Sequence, residues 1–529
     1  MTDPKDYTQR GWKACAALIA VLTVVGFLPP QQVGGISLRR ANILSEIVSF
    51  DDGAAAERDE APADEIELPE IDWEQAAEVV PVMPDTVRPQ RERTLVFEWR
   101  TAGPAKVPVA VDSLRAEEFI AQEAPAVPIE DFDTTGASPL AAFYEKLAER
   151  RPVRIAFLGD SFVEGDILTA DLREALQREF GGSGVGFAPM ASPLTGFRRT
   201  VKTRSSDWTA YNVMQQAKAP ADVRDLFTVS GWVCRPVDGA STRWEMTDAR
   251  ECLTPTESAR VWFRSACDSR VEAVVNDSVS RTFEVPGDEA LREVAVYHPD
   301  LRTLEFRVKS GAAGFVGYGA CFAGEGGVTV DNYSIRSNNG RALFRTSPAL
   351  NAGLQALVSY DLVVLQYGLN IMQQGVHGYA KYGEQLRQMI AYVRRCFPGA
   401  AVLVLGVSDR SVRSDSGFEP MDAVPYLTRE QRRAAEQSGA AFWSTADAMR
   451  SLGGMARFVT QGWAGKDYTH INYGGGRQIA LVLFDAIRAG AARATGERRR
   501  ESLQRAELEP VLDAAAVDSL LFNRPIEIR

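Results

Sequence analysis

Apolar runs that alternate with amphipathic stretches of helical period predict an α/β fold in two parts of the chain, residues 134–204 and 328–490. In the first part, the amphipathic stretch SPLAAFYEKLAER leads into the apolar run VRIAFLG, and a second helical stretch, TADLREALQREFG, follows. Ser138 and Thr169 are predicted N-caps and Gly181 a C-cap. A buried strand between helices is typical of a parallel sheet.

The second part continues the same alternation. The runs YDLVVLQYGLN, AAVLVLGVSD and AAFWSTADAM read as strands separated by helices, and GGGRQIALVLFDAIRAGAA reads as the last helix. Together with the first strand they predict a doubly wound sheet of four strands. Ligands of such sheets bind beyond the carboxyl ends of the strands, so that edge is where a functional site is expected.

Residues 205–327 have a different pattern. Seven short β-rich runs, separated by turn residues at regular spacing, predict an all-β sandwich or jelly roll inserted into the α/β domain. Cys234, Cys252, Cys267 and Cys321 lie in this stretch. One or two disulfides and buried free thiols are both open readings.

The two ends of the chain predict appendages to the folded part. In residues 1–30, Arg10 and Lys13 precede an uncharged apolar run, which indicates a signal anchor with the rest of the chain outside the membrane; a cleaved signal peptide and a buried core helix are the alternatives. Residues 31–133 read as an acidic flexible linker and a pre-domain segment, in which 91–133 form either edge strands or more linker. Residues 491–529 read as a charged C-terminal tail.

Composition and charge narrow the class of protein. A chain of 529 residues with 45% hydrophobic content is long and apolar enough for more than one folded unit. The net charge of −11 arises in residues 51–90, which hold thirteen Asp or Glu against two Arg, so no basic face for nucleic acid is expected. The cysteines lack C-x-x-C spacing and the histidines are scattered, so we expect no metal and no other cofactor.

A candidate nucleophile stands in RIAFLGDSFVEGD, where Ser161 follows a predicted strand and precedes a helix. Backbone N–H groups at such a position stabilise an oxyanion, although a helix cap is the alternative role. A serine hydrolase also needs a general base, and the chain has three histidines. His470 is favoured over His298 and His377 because Asp467 precedes it by three residues, close enough to orient its imidazole.

Three short motifs resemble those of the SGNH, or GDSL, hydrolase superfamily. They are Gly159-Asp160-Ser161, Gly368-Leu369-Asn370 and the Asp467-to-His470 block, each at the end of a predicted strand or before the last helix. The resemblance implies a flavodoxin-like three-layer α/β domain. It also implies Ser161 as nucleophile, His470 as base and Asp467 as its orienter, with Asn370 and the Ser161 N–H as oxyanion donors.

The superfamily takes a further oxyanion N–H from a glycine that precedes the Gly-x-Asn motif. In VTVDNYSIRSNNGRAL the register places Ser337 at that position. A serine N–H can serve if the backbone conformation is kept. Gly340 is the alternative, followed by Gly184 or Gly186.

Within the superfamily the chain is most similar to exported peptidoglycan O-acetylesterases, in which an inserted β-module resembles a carbohydrate-binding domain. Phe162 stands where a polar residue usually follows the serine, and it is predicted to influence substrate preference. Asp409 and Asp415 follow a strand end and either line the pocket or are solvated. The β-rich stretch also holds aromatic residues that either stack on sugar rings or pack in the core: Trp208, Trp232, Trp244 and Trp262.

These observations predict an extracytoplasmic, periplasmic serine esterase, membrane-anchored or secreted, that removes O-acetyl groups from a carbohydrate polymer, with peptidoglycan as one candidate. One alternative is an O-acyltransferase that moves acyl groups onto a glycan together with a membrane partner. The other is a non-catalytic glycan-binding protein on a hydrolase scaffold. The expected partners are an acylated glycan, the membrane through the N-terminal segment, and a membrane acyltransferase.

Overall fold

The structure is a computed structural model that describes residues 32–33, 36–37, 93–98, 125–192, 198–250, 256–324, 326–415 and 417–496. Two short antiparallel strands, β1 (Gln32–Val33) and β2 (Ile36–Ser37), form a unit by themselves. The predicted signal anchor, most of the linker and nearly all of the tail lie outside the described residues. Within the described part of the chain, no helix has the length and apolar character needed to cross a bilayer.

All remaining described elements belong to a second unit of the chain. Its strands, numbered along the chain, are β3 (Thr94–Glu98), β4 (Glu130–Asp131), β5 (Val153–Gly159), β6 (Gly186–Pro189), β7 (Val201–Asn212), β8 (Trp232–Met246), β9 (Thr256–Ser265), β10 (Ser269–Val275), β11 (Val279–Val285), β12 (Arg292–Leu301), β13 (Thr303–Ser310), β14 (Phe315–Ala323), β15 (Val328–Asn332), β16 (Leu362–Gln366), β17 (Ala401–Leu405), β18 (Ser411–Ser414), β19 (Gly417–Pro420) and β20 (Ala441–Trp443). Its α-helices are α1 (Pro139–Ala148), α2 (Thr169–Phe180), α3 (Pro348–Val358), α4 (Ala380–Cys396), α5 (Ala423–Gln437), α6 (Thr445–Ser451), α7 (Gly454–Thr460) and α8 (residues 473–496).

The central sheet has six strands in the order β15-β5-β16-β17-β20-β4, of which all but β4 run parallel. Without β4, the order along the chain is 2-1-3-4-5, which is the flavodoxin order. The sequence predicts four of these strands. It misses β15, in which Thr329 and Asp331 interrupt the apolar residues, and β4 lies in residues 91–133, for which the sequence leaves edge strands and linker as two open readings. Residues 91–133 therefore contribute edge strands, β3 and β4, one to each of the two large sheets.

Helices cover both faces of the central sheet. Alternate residues of β5 point to opposite sides: Ile155 and Phe157 pack with α1, α2 and α8, whereas Ala156 and Leu158 pack with α3, α4 and α5. This confirms the three-layer α/β architecture. Thr169 is not the N-cap of α2 as predicted but its first helical residue, because its hydroxyl donates to the Asp166 carboxylate at 2.8 Å.

The predicted caps Ser138 and Gly181 are confirmed. Ser138 Oγ accepts from Leu140 N at 3.2 Å, and Gly181 ends α2 with a φ of 85°. The disulfide question is decided for three of the four cysteines, since Cys234, Cys267 and Cys321 are free thiols. Cys252 lies outside the described residues.

Nine of the ten strands of a second large sheet lie between β5 and β15 along the chain, and β3 precedes β5. The order of the sheet is β11-β10-β13-β8-β14-β9-β12-β3, with β6 on β14 and β7 on β8. All seven predicted β-rich runs contribute strands, β8 to β14. They are joined by β3 and β6 from outside residues 205–327 and by β7, which begins at Val201 and is not among the predicted runs. Every pairing in this sheet is antiparallel except that of β12 with β3.

One hydrophobic cluster joins this sheet to the central sheet. Trp262 stacks on Phe187 with ring centroids 5.5 Å apart, and the same cluster includes Leu158 of the central sheet. Trp244 and Trp262 are fully buried. The core reading of these two tryptophans is therefore confirmed. Trp262 lies in the cluster that the two sheets share, whereas Trp244 lies in a second cluster within the ten-stranded sheet.

A buried ionic network lies just after the β5 turn. Asp166 is 2% exposed, and its Oδ2 accepts from Arg173 Nη1 at 3.0 Å and from Arg198 Nε at 2.8 Å. Asn332 Nδ2 donates to the Asp166 Oδ1 at 3.1 Å. Burial alone would raise the pKa of Asp166, but the two guanidinium groups hold it well below its ordinary value.

We predict that Asp166→Asn lowers the free energy of unfolding by about 3 to 5 kcal/mol, because it leaves two buried guanidinium groups without their anion. Urea unfolding followed by circular dichroism measures this loss. Glu130→Gln is the control: its ion pair with Arg432 is exposed and is expected to contribute less than about 1 kcal/mol. Equal losses in the two variants would contradict the prediction.

Candidate active site

The turn after β5 holds Ser161 at the carboxyl edge of the central sheet. Ser161 is 7% exposed, and Asp160 beside it is fully buried. Asp160 Oδ1 accepts from Phe162 N at 2.9 Å, and Asp160 Oδ2 accepts from Asn370 Nδ2 at 3.0 Å. The Asp160 carboxylate therefore connects the turn that carries the candidate nucleophile Ser161 to the Gly-x-Asn motif. Residues 160–166 form this turn, the nucleophile turn.

Phe162 does not face a substrate cleft, and the prediction that its ring influences substrate preference is wrong. Its side chain is 1% exposed and belongs to the apolar layer between the central sheet and helices α1, α2 and α8. The physical reason is the Asp160 carboxylate, which holds the Phe162 N–H while the ring enters the core.

The pKa of Asp160 is displaced toward neutrality. Burial raises it to about 7, even though the hydrogen bonds from Phe162 N and Asn370 favour the charged form. The nearby Glu164 charge raises it further. The group that positions Asn370 therefore changes protonation near neutral pH.

The Gly-x-Asn motif follows β16 and depends on its glycine. Gly368 has a φ of 125°, a conformation that residues with a Cβ rarely adopt. After this bend, Asn370 Nδ2 reaches both Asp160 Oδ2 and the Asn338 carbonyl, the latter at 3.2 Å. Asn370 therefore joins the nucleophile turn to the segment that follows β15.

The segment that follows β15 brings Ser337 to the same edge. Tyr333 N donates to Phe157 O at 2.8 Å and Ile335 N to Gly159 O at 2.9 Å, so the chain stays beside β5 up to the nucleophile turn. Ser337 itself has a φ of 61°, in the left-handed region that favours glycine. A serine held there fits the register in which the motif comparison expects a glycine. The role of its N–H remains a prediction.

The alternative glycines have other surroundings. Gly340 also has a positive φ, and its N–H donates to the Asn338 side chain at 2.9 Å. A Cβ at Gly184 would lie 2.4 Å from Phe322 O, and one at Gly186 would lie 2.1 Å from Val330 O. Gly184 and Gly186 therefore permit close backbone packing around β6.

The Asp-x-x-His block forms a hydrogen-bonded pair in the loop before α8. His470 Nδ1 lies 2.7 Å from Asp467 Oδ2, and Asp467 Oδ1 accepts from the N–H groups of Thr469 and His470, each at 3.1 Å. Burial raises the pKa of Asp467, but these hydrogen bonds outweigh it and hold the pKa below its ordinary value. The Asp467 carboxylate is thus ionised. Because it pairs with Nδ1, Nε2 is the His470 nitrogen left for another partner, and the histidine side chain is 52% exposed.

One contact of α8 joins the end of this loop to the turn that carries Ser161, and a short hairpin packs on the loop itself. Tyr473 OH donates to Gly165 O at 2.9 Å. In the hairpin of β18 and β19, Phe418 stacks on Tyr468 with ring centroids 3.7 Å apart. Within the described residues, Ser161 Oγ and His470 share no hydrogen bond, and such contacts are often long before substrate binds.

The other two histidines stand elsewhere. His298 lies in β12 and is partly exposed, and its Nδ1 accepts from Asp300 N. His377 Nε2 lies 2.8 Å from Asp422 Oδ2, and its ring stacks on Tyr426. Sequence analysis missed this second pair because its carboxylate comes 45 residues later in the chain.

Asp409 and Asp415, which the sequence predicts either to line the pocket or to be solvated, differ in their burial. Asp409 is 6% exposed and accepts from Met455 N at 2.8 Å in the first turn of α7. Asp415 is exposed at the turn between β18 and β19. In the part of the chain that the structure describes, no group of three or more His, Cys, Asp or Glu is arranged to hold a metal ion.

Two adjoining cavities lie between the segment after β15 and the ten-stranded sheet. The larger, about 540 Å³, is lined by Tyr211, Lys218, Trp232, Arg336 and Ser337, among others. The smaller, about 70 Å³, reaches Glu164 in the nucleophile turn and shares Trp232 with the larger one. The candidate oxyanion donor Ser337 thus lines the larger cavity, whereas Ser161 and His470 line neither of these two.

No protein-family model matches the sequence, and no curated protein matches it. A solved structure of a peptidoglycan O-acetylesterase is 22% identical in sequence, with a TM-score of 0.56, and covers 68% of this chain and 97% of its own. A solved structure of a lipase/acylhydrolase from Enterococcus faecalis is 15% identical and covers 31% of this chain and 76% of its own. Its TM-score of 0.24 is too low to indicate a shared overall fold. The first likeness shows that the described part of this chain shares its fold with that O-acetylesterase.

The raised pKa of Asp160 predicts how stability changes with pH. The folded protein retains this proton up to about pH 7, whereas an unfolded chain loses it near pH 3.8, so Asp160 lowers stability progressively as the pH rises between these values. Over this pH range, the free energy of unfolding falls by about 4 kcal/mol because of this one group.

Asp160→Asn removes this pH dependence, so the difference in Tm between the variant and the wild type is expected to become more positive from pH 5 to pH 8. Differential scanning fluorimetry measures it. The same substitution at the exposed Asp485 is the control. Parallel Tm curves for Asp160→Asn and the wild type would contradict the prediction.

Proposed function

We propose that the chain is a serine esterase that removes O-acetyl groups from a carbohydrate polymer. Ser161 is the nucleophile, His470 the general base and Asp467 the group that orients it. The oxyanion is bound by Asn370 and by the N–H groups of Ser161 and Ser337. The observation that carries this assignment is the 2.7 Å Asp467–His470 pair in a loop whose following helix is bonded to the nucleophile turn.

The mechanism follows from the chemistry of these groups. His470 takes the Ser161 proton through Nε2, since Nδ1 is bonded to Asp467, and Oγ attacks the ester carbonyl. The bond between the acyl carbon and the sugar oxygen then breaks as His470 returns the proton to that oxygen. Water, deprotonated by the same histidine, then releases acetate and regenerates Ser161.

Asn370 lies between the two segments that would surround an oxyanion. Its side-chain amide has two N–H groups, and the Asp160 carboxylate and the Asn338 carbonyl both accept from it. When Asn370 acts as an oxyanion donor, one of these two hydrogen bonds is therefore exchanged for a bond to the substrate oxygen.

The fold likeness to a peptidoglycan O-acetylesterase and the cleft of about 540 Å³ beside Ser337 support an acetylated polymer as substrate, with peptidoglycan as the first candidate. The apolar run that begins at Ala14 supports an extracytoplasmic, membrane-anchored location. Fusion of residues 1–30 to alkaline phosphatase, which is active only outside the cytoplasm, tests that location. An inactive fusion contradicts it.

We predict that Ser161→Ala abolishes release of acetate from p-nitrophenyl acetate and from O-acetylated peptidoglycan, because no other group can form the acyl-enzyme. The measurement is acetate production by purified protein, with far-ultraviolet circular dichroism as the check on folding. Turnover that survives in Ser161→Ala would exclude the proposed mechanism. A wild type that binds acetylated glycan without hydrolysing it would favour the glycan-binding alternative.

The two histidine–carboxylate pairs provide a matched comparison. Asp467→Asn is expected to lower kcat by about 1,000- to 10,000-fold, because the imidazole loses the anion that orients and stabilises it. Asp422→Asn changes the 2.8 Å pair of His377 and should leave kcat within about twofold of the wild type, because the proposed mechanism uses neither residue of that pair. A larger loss in Asp422→Asn would show that His377 is the base.

Transfer and hydrolysis are separated by the fate of the acyl group. With p-nitrophenyl acetate and an unacetylated glycan acceptor, an esterase gives free acetate at the rate of nitrophenol release. Acetylated glycan in place of free acetate would favour the acyltransferase alternative.

A further inference from the structure

Glu164 is a buried carboxylate in the nucleophile turn that the proposed mechanism does not use. It is 7% exposed, and both of its oxygens bind the same residue. Oε1 accepts from Arg336 N at 3.0 Å, and Oε2 accepts from Arg336 Nε at 2.8 Å. The Arg336 side chain is 58% exposed, so the pair does not bury a cation.

Binding a main-chain N–H and a side-chain N–H of one residue fixes more than the position of a charge. It fixes the orientation of the backbone at Arg336 relative to the turn, because the two donors leave the residue in different directions. Glu164 comes three residues after Ser161, and Arg336 directly precedes Ser337. The pair therefore links the nucleophile turn to the residue that we assign as an oxyanion donor.

The backbone of Ser337 needs such support. Its φ of 61° is unfavourable for a residue with a Cβ, and its side chain is exposed, so packing of that side chain does not hold it there. The bonds around it come from the other catalytic segments: Glu164 holds Arg336 before it, and Asn370 holds the Asn338 carbonyl after it. The direction of the Ser337 N–H depends on both.

We propose that Glu164 and Arg336 are positioning residues that direct the Ser337 N–H toward the oxyanion formed at Ser161. This inference rests on the proposed function. A purely structural ion pair would stabilise the protein without changing transition-state binding, and that difference is measurable.

The first variant is Glu164→Gln, which keeps one acceptor for the Arg336 N–H but presents an amide N–H to Arg336 Nε. We expect kcat for p-nitrophenyl acetate to fall about 10- to 100-fold with KM within about twofold of the wild type, the loss typical of a misplaced catalytic group. Arg336→Lys, which retains the charge and the backbone N–H but not the Nε geometry, is expected to lose less than Glu164→Gln. It also serves if Glu164→Gln fails to fold.

The second readout is inhibition by methylboronic acid, whose tetrahedral adduct with a serine places an oxygen where the oxyanion forms. Its inhibition constant is expected to rise in Glu164→Gln by the same factor by which kcat falls, because both report the oxyanion site. Asp277→Asn, which breaks the exposed pair with Arg243, is the control and should change neither value.

The outcomes separate this inference from the proposed function. Wild-type turnover that depends on Ser161, together with an unchanged kcat in Glu164→Gln and Arg336→Lys, overturns the positioning role alone. A fall in kcat with no change in boronate inhibition also overturns it, since the oxyanion site is then intact. A wild type without Ser161-dependent turnover overturns the proposed function and this inference with it.

Discussion

The arrangement of the candidate site depends on the buried carboxylate of Asp166. It receives Arg173 from α2, Arg198 from the chain that leads into β7, and Asn332 from the end of β15. Arg198 in turn donates to the Val185 and Phe187 carbonyls beside and within β6. The Asp166 carboxylate thus connects the turn after β5 to the end of β15 and, through Arg198, to β6 of the ten-stranded sheet. Charge neutralisation and full hydrogen bonding make its burial tolerable.

Local patterns predicted most of the elements and the three motifs. Three of these patterns are local: the apolar run before Ser161, the short spacing from Asp467 to His470, and the glycine before Asn370. Because each lies within a few residues, it can be recognised in the sequence. Their meeting at one edge follows from parallel strand order, which has a small number of solutions. The sequence therefore predicted the α/β fold class. Of the predicted site residues, the structure brings Asn370 to the turn that carries Ser161, and it pairs Asp467 with His470 in the loop before α8.

The features that escaped prediction depend on partners distant in the chain. Phe162 enters the core because Asp160 holds its N–H, and Thr169 becomes the first residue of a helix because Asp166 takes its hydroxyl. The pair of His377 and Asp422 and the pair of Glu164 and Arg336 each join two elements that only the fold brings together. Side-chain direction and long-range pairing carry no periodic signal, so pattern analysis alone does not find them.

The pairing of β15 with β5 has a consequence for the order of folding. These neighbours in the central sheet are separated along the chain by most of the ten-stranded sheet. Closing so long a loop is entropically costly while the intervening chain is unfolded, and contacts of high sequence separation form slowly. Once the ten-stranded sheet has formed, its folded body brings the ends of that loop together. The sheet edge that holds the candidate site is therefore expected to assemble late, after the ten-stranded sheet.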